Sequence, residues 1–185
     1  MSSVVAESRG RTSRYFATLN RTSYPKAHEP QKDIILLEHH FRFIQTLIPE
    51  NDEHGRVIKF YPQEQYRYKQ HRKLHKYGSG AFCRFSVMTD NVSGVYLLVA
   101  DSALLYIGQT CNLNQRFNNK SYGSYSFITP AACYEGGQST NCKINQLVLR
   151  QFEIGQPVLL YFLPTHEHKR IEKELLQHFS TPHNH

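Results

Sequence analysis

The chain has 185 residues, a net charge of +7 and a hydrophobic content of 39%. That length suits one sound core or two small domains, and a folded soluble protein is expected. No apolar run is long enough for a membrane-spanning helix, and Met1-Ser2-Ser3-Val4-Val5-Ala6-Glu7 lacks a signal-peptide core, so no membrane partner and an intracellular setting are expected.

The four cysteines, Cys83, Cys111, Cys133 and Cys142, show no CxxC spacing. Structural zinc and a disulfide framework are both disfavoured, and ordinary buried thiols are expected. Charge is distributed unevenly. Residues 54–85 hold eight bases against one acid, Glu64, so this segment alone carries the whole positive excess. That points to a polyanionic partner.

In chain order, residues 1–30 are polar, with scattered arginines and no periodicity, and read as a flexible arm. Ile35, Leu36, His39, Phe43 and Leu47 recur at helical spacing before Pro49, which predicts a helix over 31–48. Residues 59–80 interleave bases with Tyr61, Tyr66, Tyr68 and Tyr77. Lys69, Arg72, Lys73 and Lys76 in this stretch are candidates to grip a phosphate backbone, with tyrosines stacking beside them. A solvated basic face is the plainer alternative. Gly78-Ser79-Gly80 reads as a joint, dividing a helical and basic extension over 31–85 from a second domain over 86–185.

That second domain opens with a predicted hairpin, strands near 94–100 and 104–109, around the turn-like Asp101-Ser102-Ala103. Helices are predicted over 112–120 and 141–154, a third strand over Val158–Leu163, and a last helix over 167–179. The apolar stripe of that last helix is Ile171, Leu175, Leu176 and Phe179. The order ββ-α-α-β-α suits a small α/β layer on one sheet. Tyr134–Lys143 is a glycine-started polar loop running into a helix. Ser139, Thr140 or Asn141 is expected to cap that helix, and with Lys143 these residues are candidate contacts to a DNA backbone. A plain capped loop is the alternative.

Gly94-Val95-Tyr96 and Tyr106-Ile107-Gly108 sit on paired strands, which can bring two phenols to one spot. Gln115-Arg116-Phe117 follows, then Ile171-Glu172-Lys173-Glu174-Leu175-Leu176, then Asn184, twelve residues after Glu172. This ordered set, spanning residues 93–185, resembles the GIY-YIG nuclease family. The resemblance implies an α/β (α+β) fold with a three-stranded, mainly antiparallel sheet flanked by helices. It also implies a Mg²⁺-dependent (or Mn²⁺-dependent) endonuclease with one site per protomer acting on double-stranded DNA, so that cutting both strands needs a homodimer or sequential nicking. Glu172 would hold the divalent ion, Arg116 the scissile phosphate, and Asn184 would tie the C-terminal segment to the hairpin. Tyr96 is the candidate general base and Tyr106 would orient water or phosphate, with the choice between the two phenols left open.

Glu174 competes with Glu172, but the two point to different sides of a helix, and Glu172 has the family's spacing to the asparagine. Lys120 stands where many members carry histidine, and its charge could support a tyrosinate. Gly94 and Gly108 are expected to allow close packing beneath the site. His166 and His168 are assigned to the surface.

The layout, a basic extension before the core, resembles stand-alone type II restriction enzymes of this family, from a bacterium or phage. Mobile-element, phage or repair nucleases are the alternatives, followed by a non-catalytic DNA-binding module and an RNA nuclease.

Overall fold

The structure is a computed structural model and describes residues 30–184. The expected arm, apart from Pro30, lies outside the described residues. Five strands form one antiparallel sheet: β1 (Asp33–Leu36), β2 (His39–Leu47), β3 (Gly94–Ala100), β4 (Ala103–Thr110) and β5 (Val158–Pro164), in the order β1-β2-β5-β3-β4. Among the described residues three α-helices accompany the sheet: α1 (Leu113–Asn118), α2 (Ser139–Glu153) and α3 (His168–His178).

Two expectations are corrected here. The sheet has five strands rather than three, and residues 31–48 form strands rather than a helix. The helical spacing of the apolar residues arises because β2 changes face. Phe41 and Phe43 bury on one side of the sheet, a register shift follows between Phe43 and Gln45, and Leu47 buries on the other side. An irregularity in a strand breaks strict alternation and so mimics the longer helical period.

β3 is an interior strand, between β5 and β4, and buried along its whole length. Val95, Leu97 and Val99 face one side, where Ile171 and Leu175 of α3 pack. Tyr96 and Leu98 face the other, against Leu113 and Phe117 of α1 and Ile144, Leu147 and Val148 of α2. This two-sided burial explains why its sequence is a continuous apolar run. Asp101 and Ser102 turn the β3–β4 hairpin with φ of 47° and 63°, the left-handed pair that matches the twist of a two-residue loop.

Residues 50–85 wrap the α2 side of the sheet. Phe60 bridges to Phe82, Leu74 bridges to Tyr134, and Cys83, Phe85 and Val87 enter the core. The expected joint at 78–80 is tightly held. The Gln146 amide donates to the carbonyls of Tyr77 and Ser79, both at 3.1 Å. A Cβ on Gly78 would lie 1.8 Å from the Cys133 carbonyl oxygen. Glycine serves close approach here, not flexibility.

Candidate active site

The hairpin sets Tyr96 opposite Gly108, and Tyr106 opposite Leu98, so the two phenols are diagonal neighbours. Their ring centroids are 6.1 Å apart. Gly108 makes this possible: a Cβ there would lie 2.3 Å from the Tyr96 hydroxyl and 2.7 Å from Cε1 of Tyr106. Gly94 does the same for the neighbouring strand, where a Cβ would lie 2.2 Å from the Leu163 carbonyl oxygen.

α1 delivers the arginine. Asn112 caps it by accepting the Gln115 amide at 2.8 Å, and buried Leu113 and Phe117 fix its roll. Arg116 then lies over the Tyr125 ring, 4.1 Å from its centroid, and donates through Nη2 to the Tyr125 hydroxyl at 2.6 Å. That hydroxyl is 2.6 Å from the Tyr96 hydroxyl. A chain of Tyr96, Tyr125 and Arg116 therefore runs from the core to the surface. The Nε of Arg116 is buried with no hydrogen-bond partner among the described residues.

Tyr125 was not foreseen from sequence. It sits in a loop without periodicity, where Ser124 and Phe127 form an isolated bridge. The alternation of aromatic and small residues in Tyr122-Gly123-Ser124-Tyr125-Ser126-Phe127 is the one signal that could have marked an aromatic insertion there.

α3 delivers the carboxylate. Glu172 is half-buried and close enough to Tyr106 and Arg116 to act on both electrostatically, and the Gln109 backbone amide reaches it. Burial raises its carboxyl above the ordinary range, opposed by that amide and by Arg116. Glu174 faces elsewhere, paired with Arg170 at 3.1 Å and with His39 at 3.5 Å.

β4 is an edge strand, and its outward groups are taken up locally. Asn184 accepts from the Ile107 amide at 2.9 Å and donates to the Ile107 carbonyl at 2.7 Å. Asn184 thus ties the C-terminal segment to the hairpin and closes a strand edge.

The phenols are all held protonated. Burial raises Tyr96, Tyr106 and Tyr125 well above a free phenol, and for Tyr96 and Tyr125 Arg116 only partly offsets it.

Of these site residues, Arg116 lines an open cleft of about 680 Å³. Gln109, Gln115, Arg116, Tyr122, His168 and Lys169 are among its walls. His168, expected at the surface, is half-buried in this wall, and its Nδ1 is buried without a partner among the described residues.

Other predicted site residues sit elsewhere. Lys120 is exposed and lies beyond the end of α1, which stops at Asn118. It is therefore not one helical turn from Arg116, as the spacing implied, because Asn119 leaves the helix in extended conformation. The expected cap of α2 is also corrected. Gln138 occupies the cap position, and Ser139, Thr140 and Asn141 form the first helical turn. Asn141 is 2% exposed and so cannot touch a backbone. Lys143 donates to the His183 carbonyl at 2.7 Å.

In the basic segment, Lys69, Arg72, Lys73 and Lys76 are exposed. Arg72 is also structural, donating to the Glu135 carbonyl at 2.5 Å and to the Tyr66 hydroxyl at 3.2 Å. Lys59 pairs with Glu153, and Arg84 covers the rings of Phe60 and Phe127. Part of the charge excess is thus used internally.

An ion on Glu172 would rely on that one carboxylate. Among the described residues there is no group of three or more side chains suited to hold a metal. A single carboxylate fits a hard cation that keeps most of its water. Among the described residues, no helix is long and apolar enough to cross a membrane. Comparison with protein-family models, curated proteins and solved structures finds no match to this chain.

Proposed function

We propose that the chain is a metal-dependent endonuclease that hydrolyses DNA phosphodiester bonds. The observation that carries this reading is that Arg116 lines an open cleft while Glu172 lies close enough to act on it electrostatically. Arg116 has an unpartnered buried Nε, and Glu172 has no ion-pair partner among the described residues. The donor groups of the Arg116 fork that Tyr125 does not take are the ones a phosphate oxygen in the cleft would pair with.

On this reading Arg116 holds the scissile phosphate in its planar fork. Tyr125 and Tyr96 keep that fork in place from below. Tyr106 is the less buried of the paired phenols and sits nearer Glu172, so its hydroxyl orients the attacking water. Glu172 would hold a Mg²⁺ or Mn²⁺ ion. That ion, when bound, would supply positive charge for the phosphate and the leaving oxygen and bring a phenol within reach of deprotonation. Asn184 keeps β4 in register and has no chemical step.

The site cuts one strand, so a double-strand break needs a homodimer or two successive nicks. A restriction-like role is supported by the exposed Lys69, Lys73 and Lys76, which give the chain its own means of holding double-stranded DNA.

The test is digestion of plasmid DNA with Mg²⁺, with EDTA, and with Glu172→Ala. Discrete Mg²⁺-dependent bands, lost in the variant, are expected. DNA shifted on a gel but never cut would replace this reading with a non-catalytic binding module.

A further inference from the structure

The cleft beside Arg116 has more in it than phosphate chemistry requires. Of the described residues lining it, none is acidic, while Arg116 and Lys169 are cationic. Its volume, about 680 Å³, lies within the roughly 300–1,000 Å³ of small-molecule sites.

Two further features are unusual. Tyr122 stands at the rim with 79% of its surface exposed. It is not a loose side chain on a loose loop. Asn119 Oδ1 accepts the backbone amides of Ser121 and Tyr122 at 3.0 and 3.4 Å, and Gln138 donates to the Tyr122 carbonyl at 3.4 Å. Gly123 follows at φ 76°, a left-handed conformation that turns the chain directly after the ring. An aromatic side chain is thus presented to solvent from a fixed backbone.

The second feature is a pair of idle amides. Gln109 and Gln115 both line the same cleft. Neither side chain makes a hydrogen bond to another described residue, whereas Asn112 and Asn119 spend their oxygens on the local backbone. A primary amide offers both a donor and an acceptor, the pattern that matches the edge of a base.

We infer that this cleft takes up one nucleobase next to the phosphate held by Arg116, with Tyr122 stacked on its face and Gln109 and Gln115 reading its edge. The base must leave its helical stack to enter, so single-stranded or locally opened nucleic acid is the preferred form. The inference rests on the nucleic-acid reading of the Arg116 site. It turns that site from a phosphate clamp into one that chooses among nucleotides.

The test is a titration of the full chain into a short single-stranded oligodeoxynucleotide carrying one 2-aminopurine, in EDTA, with a ribo-oligonucleotide in parallel. Saturable quenching is expected with the wild-type chain and with Tyr122→Phe. Tyr122→Ala, at an exposed position that leaves the melting temperature unchanged, should bind about 5- to 150-fold more weakly, the loss of one base–aromatic stack. Gln109→Ala with Gln115→Ala should bind with less discrimination among oligonucleotides that differ at one base. Stronger binding of either the deoxy or the ribo probe identifies which sugar the cleft accepts. Equal affinity and equal quenching for Tyr122→Ala, or no binding by the wild-type chain, would overturn the inference.

Plasmid cleavage with Mg²⁺ is measured alongside. Cutting without Tyr122-dependent quenching removes the base pocket and leaves the nuclease. Quenching without cutting keeps the pocket and removes the nuclease.

Discussion

Replacing Tyr125 with phenylalanine removes one oxygen atom and disconnects the site. Two hydrogen bonds go with it, to Tyr96 and to Arg116, each 2.6 Å long. The ring contacts remain, because Phe can still pack edge-on against Phe117 at 5.2 Å and lie under the guanidinium at 4.1 Å. The Tyr96 hydroxyl, on a residue only 1% exposed, loses its short hydrogen bond and is left in the core with Arg116 alone within reach. An orphaned buried hydroxyl costs about 1–3 kcal/mol, and the lost bond to a charged guanidinium adds about 1–2 kcal/mol because water in the cleft replaces part of it. A net destabilisation of about 2–5 kcal/mol follows, which for a chain of this size lowers the melting temperature by about 4–20 °C. Tyr96→Phe alone should cost less, about 1 kcal/mol, since the Tyr125 hydroxyl keeps its bond to Arg116. The double variant has no orphan and should fall short of the sum by about 1 kcal/mol. The assay is thermal and urea unfolding of the four proteins, in metal-free buffer. A melting temperature for Tyr125→Phe within about 2 °C of the wild type, or strict additivity in the cycle, would refute the connected chain.

Glu172→Gln should raise the melting temperature at pH 7 without metal, because burial raises the Glu172 carboxyl and so makes its ionised form unfavourable in the folded chain. The folded chain holds this proton more tightly than the unfolded chain, so stability falls as pH rises from the ordinary carboxylate range through the raised folded value. The advantage of the variant should therefore vanish below about pH 4, and a constant difference from pH 3 to 8 would contradict the cause assigned. Replacing Lys69, Lys73 and Lys76 together with alanine should leave the melting temperature within about 2 °C. It should also reduce the slope of log affinity against log salt by up to about three, as gel-shift titrations would read. An unchanged slope returns these lysines to a solvated face, and Arg72→Ala should instead destabilise, since it braces Glu135 and Tyr66. Gly108→Ala should cost at least about 1–3 kcal/mol in urea unfolding, because the new methyl would collide with both phenols.

What could be read from the sequence was what depends on neighbours in the chain. The β3–β4 hairpin was legible because its turn and two apolar runs are contiguous, and α3 because its stripe is regular. β5 followed from a short apolar run after Gly155. What escaped depends on distant pairing. β2 is a strand because β5 lies beside it, more than a hundred residues on, and its register shift disguises the strand period. Tyr125 matters because α1 folds back over it, and no local pattern predicts where a loop tyrosine points. The α2 cap was misplaced by one position, since Gln138, Ser139, Thr140 and Asn141 all suit a helix start and the backbone alone decides among them. Of the candidate site, Tyr96, Tyr106, Arg116 and Glu172 lie where the hairpin, α1 and α3 bring them together. Lys120 does not, because α1 ends two residues before it.

The burial of three tyrosines bears on how such a site could work. A phenol is a poor base at neutral pH, and burial makes each of these poorer. Tyr96 is the least suited to take a proton from substrate water, because its hydroxyl is enclosed and already shared with Tyr125. Tyr106 is less enclosed and lies within the field of Glu172. What burial provides is fixity. Phe117, Tyr125 and Tyr96 pack edge to face with centroids 5.2–6.0 Å apart, and the Arg116 guanidinium rests on that stack. Burial disfavours the Arg116 cation, but a guanidinium does not lose its proton in a protein, and the Tyr125 oxygen accepts one of its N–H groups. A charged fork that is fixed in place and partly shielded from water attracts a phosphate more strongly than a mobile surface arginine, with no reorganisation when charge develops. The division of labour on the nuclease reading is then a rigid cation seated on aromatic rings and, across the β4 edge, a carboxylate on α3 held by the Gln109 amide. Tyr106 is the hydroxyl between them.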